Sequence, residues 1–228
     1  MPGYSPLLAI LTGLFEAAAA VFALLSPGRK RILHPVALLL LLLAGYQFAE
    51  VAVCANPSRL LFARLAFFDI TWLPPVGLWL LGQFAWLDRK GWRWLSLGYF
   101  AVGAALVVWI LVDPAVITKS VCQLVVARYW HPAPFETAYA LFYQFGLLLL
   151  VVGAGAGLVK SPDAVSRAHL FSFQLGLLGF LLPSMYIRSI LREPDGVIPS
   201  VMCHFALILA VCLTTIILRE RKHAPKTS

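Results

Sequence analysis

The chain has 228 residues, 61% of them hydrophobic and only 12% charged, with a formal net charge of +8. A soluble domain carries about 25% charged residues, so a water-soluble fold of this length could not hide so much apolar side chain. The positive charge therefore points to loop ends and anionic head groups rather than to nucleic acid.

Several uninterrupted apolar runs are long enough to cross about 30 Å of hydrocarbon, which takes about 20 residues. The expected class is an all-α polytopic integral membrane protein. Cuts at Pro, Gly and charge clusters give a seven-helix bundle in one domain, 1–228, with spans near 6–25, 35–54, 61–85, 93–112, 137–159, 167–190 and 198–218. Met1 to Ser5 lacks a basic n-region and no A-x-A site follows the first apolar run. A retained first helix is expected there, not a cleaved signal. Twelve Lys and Arg residues fall on one set of loop ends (Arg29, Lys30, Arg31, Arg89, Lys90, Arg93, Lys160, Arg167, Arg219, Arg221, Lys222, Lys226). Six fall on the other (Arg59, Arg64, Lys119, Arg128, Arg188, Arg192). The richer set is expected in the cytoplasm, with the N-terminus outside, the C-terminus inside and a bacterial inner membrane as the setting. Trp86, Trp92 and Trp94 then flank the inner boundary.

Segment one carries Glu16 near its middle. Segment two passes Gln47 and Glu50 and ends at Cys54. Segment three returns through Arg64 and Asp69 and meets Pro74-Pro75, which remove backbone donors and predict a kink, a candidate hinge. Segment four is apolar throughout and reads as a lipid-facing wall. The long connection 113–136 holds Cys122, His131 and Glu136, and its Val121-to-Trp130 stretch is apolar enough for a short interfacial helix. Segment five opens with Tyr139, Tyr143 and Gln144 close to one face. It ends in Gly153-Ala154-Gly155-Ala156-Gly157, small residues that allow close helix packing. Segment six carries His169, Ser172 and Gln174 near one end and Tyr186 and Arg188 near the other. Segment seven begins Pro199-Ser200, followed by Cys203 and His204. The tail from Arg219 reads as a topological anchor.

Charged side chains are costly in a bilayer and face a protein interior or an aqueous cavity, paired with one another. Gln47, Glu50, Arg64 and Asp69, with Tyr143 and Gln144, are expected to line an outward-facing polar pocket. Glu50 and Arg64 lie at similar depth on either side of a short turn, so a Glu50–Arg64 ion pair locking the hairpin is the structural alternative. Glu16 and Asp69 together are candidates for a proton site, because two acids in one membrane cavity titrate as a pair. Each also reads as a protonated core acid. On the outer face stand Cys54, Cys122, His131, Cys203 and His204. They are compatible with a Cys54–Cys122 or Cys122–Cys203 disulfide, with a metal site drawing Cys and His ligands, or with separate packing. No other cofactor is expected. There is no HExxH, GxSxG, P-loop or GxGxxG, and no mid-depth lysine to carry a retinal Schiff base.

Tyr46-Gln47-Phe48-Ala49-Glu50, Phe62-Ala63-Arg64-Leu65 and Leu73-Pro74-Pro75 leading to Leu78-Trp79-Leu80 resemble the N-terminal seven-helix sensor regions of bacterial histidine kinases and diguanylate cyclases. The resemblance implies a sensor or receptor whose ligand binds near Glu50, Arg64 and Asp69, with loop 113–136 as a lid. No kinase or cyclase sequence follows Arg219, so the expectation is a stand-alone module in membrane lipid, signalling through a membrane or cytoplasmic partner. A small proton-coupled transporter using Glu16, Glu50 and Asp69 is the second reading. An integral-membrane enzyme acting on lipid is the third.

Overall fold

A computed structural model describes residues 6–56, 58–84, 89–122, 127–191 and 198–224, with the side chains of 89, 184, 187–191 and 198–204 excepted. Eight helices and one hairpin follow in order: α1 (Leu7–Leu25), α2 (Lys30–Ala55), α3 (Leu60–Ile70), α4 (Leu73–Leu81), α5 (Arg89–Val112), β1 (Lys119–Cys122), β2 (Ala127–Trp130), α6 (Ala133–Lys160), α7 (Ala164–Leu191) and α8 (Ile198–His223). Among the described residues, six helical segments are long and apolar enough to cross a membrane: Leu7–Leu25, Lys30–Ala55, Leu60–Leu81, Lys90–Val112, Ala133–Lys160 and Ala164–Pro183.

Helix α2 is the axis of the bundle, packing against α1, α3, α4 and α8. It is nearly uniformly apolar and accordingly is buried on most of its faces. Its neighbour α1 is the opposite case: only Ala9, Thr12, Gly13, Glu16, Ala19, Ala20 and Ala23 are buried, a stripe at helical spacing. Small side chains on that stripe let α1 lie close against α2, and a Cβ on Gly13 would meet Phe48 at 3.1 Å and Gln47 at 3.2 Å. The turn between them is closed by Lys30, whose Nζ donates to the carbonyls of Leu24 (2.9 Å) and Ser26 (3.1 Å), satisfying acceptors that the end of a helix leaves open. The sequence places the start of this span at Pro35. The helix instead begins at Lys30 with Pro35 inside it.

The third span is two helices rather than one kinked one. Helix α3 stops at Ile70, and α4 restarts at Leu73 with Pro74 and Pro75 in its first turn. Proline is tolerated there because the first-turn N–H groups have no helical partner anyway, so the break falls ahead of the prolines. Gly146, Gly77 and Gly153 let α4 and α6 approach: a Cβ on Gly146 would lie 2.7 Å from Pro74 and one on Gly77 2.9 Å from Leu150. Helices α7 and α8 run antiparallel, with Gly176 against Cys212 and Leu209 and Gly179 against Ile208. On α5, Leu97, Val102, Val108 and Leu111 are exposed.

Residues 119–130 correct the expectation of an interfacial helix. They form an antiparallel ladder pairing Lys119 with Trp130 and Cys122 with Ala127. Burial alternates along it, with Ser120, Ala127 and Tyr129 inward, the period-2 signature of a half-buried strand. Covalently, the hairpin is tied to the end of α2 by a Cys54–Cys122 disulfide with Cα atoms 5.5 Å apart.

The opposite end of the bundle is held by a different device. Glu220 of α8 is buried and accepts hydrogen bonds from Arg29 Nε (3.0 Å), Nη2 (2.6 Å) and backbone N (3.0 Å). His169 Nε2 of α7 lies 3.3 Å from the same carboxylate, and Phe84 stacks on the imidazole. Arg219 donates to the Ala168 carbonyl and to Ser172 Oγ. Burial pushes the Glu220 carboxyl up, but the Arg29 bonds outweigh it and hold the pKa below the ordinary value. Thus the tail read as a topological anchor contributes the buried carboxylate of an interhelical clamp.

Candidate functional site

The site is assembled from positions that the packing turns inward. Glu16 lies on the small-residue stripe of α1 and is fully buried. It is nine residues from Leu7 and nine from Leu25, about 14 Å from either helix end at 1.5 Å per residue. Neither carboxyl oxygen has a hydrogen-bond partner in the structure. Thr12, one turn away, is buried as well.

Across α2 stands Asp69, in the last turn of α3. Its carboxyl is seated against Gly45: a Cβ there would lie 2.8 Å from Oδ1 and 3.0 Å from Oδ2. Only glycine leaves that space, so α2 carries a notch that receives the acid. Asp69 and Glu16 are within electrostatic reach of one another. Tyr46, Gln47 and Glu50 of α2 are all buried beside this level, and each takes part in interactions with its neighbours.

The break after α3 adds a further polar layer. Thr71 Oγ1 donates to the Phe67 carbonyl (2.5 Å) and lies 3.3 Å from the Tyr139 hydroxyl. Tyr139 stacks on Tyr143, with centroids 6.0 Å apart, which places Tyr143 at the border of the cluster. Gln144 departs from expectation. It is exposed on the outside of α6, because it lies about 100° around the helix from Tyr143.

Arg64 Nη2 donates to the carbonyl of Pro114 (2.8 Å), so the guanidinium clips the approach to the hairpin. The hairpin lies over this end of the cluster, with Tyr129 edge-on to Phe67 and His131 packed on Phe67 and Phe135. His131 Nδ1 bonds the Val116 carbonyl at 2.8 Å. Burial lowers the imidazole pKa, with the Val116 bond opposing. Gln47 and Glu50 are therefore covered, not open to the outside.

Of the five outer donors, Cys54 and Cys122 are consumed by their mutual bond and cannot serve as thiolate ligands. The side chains of Cys203 and His204 lie outside the described residues, as do those of Arg188 and Arg192. So does Trp86. Among the described residues no cluster of three or more His, Cys, Asp or Glu side chains has the arrangement to hold a metal.

A carboxylate with neither solvent nor hydrogen-bond partner is intolerable in a low-dielectric interior. It needs a counter-charge, either a proton or a small cation. Glu16 on α1 and Asp69 on α3, the two helices that pack on α2, are a place to hold one. The reading of the sequence noted both acids but missed Gly45, Thr12 and Thr71. A glycine inside an otherwise continuous Leu/Ala helix was the available signal for the notch.

The class defined by this fold is a polytopic α-helical membrane protein with an acidic cluster at mid-bundle. Comparison with protein-family models, curated proteins and solved structures returned no match.

Proposed function

We propose that this is a seven-helix membrane sensor, with α8 as the seventh span, in which a proton or small cation bound between Glu16 and Asp69 sets the packing of α1, α2 and α3. The hairpin acts as a lid and a membrane or cytoplasmic partner receives the signal. The observation that carries this reading is the buried Glu16 carboxyl without a hydrogen-bond partner among the described residues, together with a second acid, Asp69, seated in a glycine notch of α2, the helix that packs on both α1 and α3. Orientation follows from two independent features. The disulfide needs an oxidising compartment, whereas the basic loop ends favour the cytoplasm. They lie at opposite ends of the bundle. That arrangement supports an extracytoplasmic hairpin, and in a bacterium the inner membrane.

A proton-coupled carrier is the second reading, favoured by the interruption between Ile70 and Leu73, since discontinuous helices at mid-membrane build ion sites in transporters. The test is hydrogen exchange of the hairpin in purified protein across pH 5 to 8 and with Na⁺ or K⁺, together with flux in proteoliposomes. A sensor shows a pH- or cation-dependent change in hairpin protection that persists in His131→Phe but is lost in Asp69→Asn and Glu16→Leu, with no flux. Flux that vanishes in Asp69→Asn establishes the carrier instead. An unresponsive hairpin without flux rejects both.

A further inference from the structure

At the basic end of the bundle, away from the acidic cluster, a groove of about 580 Å³ opens between the start of α2, the end of α4 and the start of α5. Its mouth carries Arg31 and Arg93, both exposed. On the wall below them is Ser96, 7% exposed, whose hydroxyl has no hydrogen-bond partner. Deeper along the same face of α5 come Leu97 and Phe100, opposite Trp79 of α4. Residues 93, 96, 97 and 100 follow the i, i+3, i+4, i+7 pattern that lines one helix face. Read along that face, chemistry passes from cation to hydroxyl to hydrocarbon.

Trp92 forms a fixed side of the groove. Its Nε1 donates to the Leu78 carbonyl at 2.6 Å, and a Cβ on Gly82 would lie 2.5 Å from its ring. The indole is thus held by its own bond and needs nothing from a ligand. The guanidinium pair and the Ser96 hydroxyl do.

We propose that this groove binds an anionic phospholipid: Arg31 and Arg93 on the phosphate, Ser96 donating to a phosphate or ester oxygen, and one acyl chain along Leu97, Phe100 and Trp79. Guanidinium groups suit phosphate because their planar donors can pair with two of its oxygens, and basic pockets between spanning helices hold anionic head groups. A soluble phosphate would satisfy the arginines but leave the apolar wall unused, which favours lipid as the source.

The experiment uses the full chain in detergent, titrated with phosphatidylglycerol, phosphatidylcholine or inorganic phosphate and read by native mass spectrometry. Phosphatidylglycerol is expected to bind at least tenfold more tightly than phosphatidylcholine. Arg93→Gln and Arg31→Gln should each weaken it about tenfold, the loss of one charge-assisted contact. Ser96→Ala should weaken it about threefold. Lys222→Gln, a basic change outside the groove, should leave binding unaltered. Helical circular dichroism confirms that each variant is folded, and Ser96→Ala removes only one oxygen should an arginine variant misfold. Equal binding of the two lipids, or losses in Lys222→Gln as large as in the arginine variants, overturns the proposal. Displacement of the lipid by millimolar inorganic phosphate overturns the assignment to lipid.

Discussion

Glu220 and Glu16 are both glutamates buried to within a few per cent in the same bundle, yet they are treated in opposite ways. Glu220 accepts hydrogen bonds from three donor atoms of Arg29, and the imidazole of His169 lies 3.3 Å away. Glu16 receives no hydrogen bond from any of the described residues. The difference separates two roles for a buried acid. Surrounded by donors, a carboxylate becomes a rivet between helices. Left bare, it retains capacity for a ligand that the chain does not supply.

The sharpest way to break this comparison is to delete each acid. Glu220→Ala strands the Arg29 guanidinium and backbone N–H. Removing one partner of a buried pair typically costs about 3–5 kcal/mol, and the lower end applies because Arg29 keeps solvent contact. Glu16→Leu removes an unsatisfied group and fills its space, which should be neutral or stabilising. Thermal unfolding in detergent reads both, and equal losses would erase the distinction. The sign of the pH effect at the clamp follows from the depressed Glu220 pKa. Its contribution is complete above the ordinary value of 4.5 and is lost as pH falls through the lower folded-state value.

A smaller effect sharpens the acidic side. Gly45→Ala places a methyl where the Asp69 oxygens now sit, and overpacking of this kind costs about 1–3 kcal/mol. Shortening the acid in the Gly45→Ala/Asp69→Ala double variant should recover much of that loss, a coupling that a thermodynamic cycle measures. Additive losses would mean that the notch does not seat the acid.

The smallest expected effect is at the hairpin. Burial lowers the His131 pKa, so the stability linked to it is complete above the ordinary value of 6.5 and is lost as pH falls through the lower folded-state value. Protection factors at β1 and β2, with the intrinsic pH dependence of exchange divided out, should fall in that window in the wild type. His131→Phe should remove that step and leave any response that depends on Glu16 and Asp69.

How much of this was legible in the sequence depends on the scale of the signal. Long apolar runs announced the spans, and acids within them announced Glu16, Glu50 and Asp69. The third span was harder, because Pro74 and Pro75 look like a kink, whereas the backbone uses them as the first turn of a new helix. Four-residue strands such as Lys119–Cys122 are too short for their alternation to stand out against neighbouring apolar sequence. Glu220 was hidden among basic residues, which made the tail look like simple membrane-facing charge. Nor does depth along a helix announce the Pro114 carbonyl as an acceptor for Arg64, since the two are fifty residues apart in sequence.

Helix α2 runs unbroken for 26 residues, about 39 Å at 1.5 Å per residue. A covalent bond fastens its last turn to the hairpin, and Arg29, immediately before its first turn, is fastened to α8. A rod anchored at both extremities transmits displacement instead of absorbing it. Any tilt that the hairpin imparts at one membrane face arrives at the other as strain on the grip between Arg29 and Glu220.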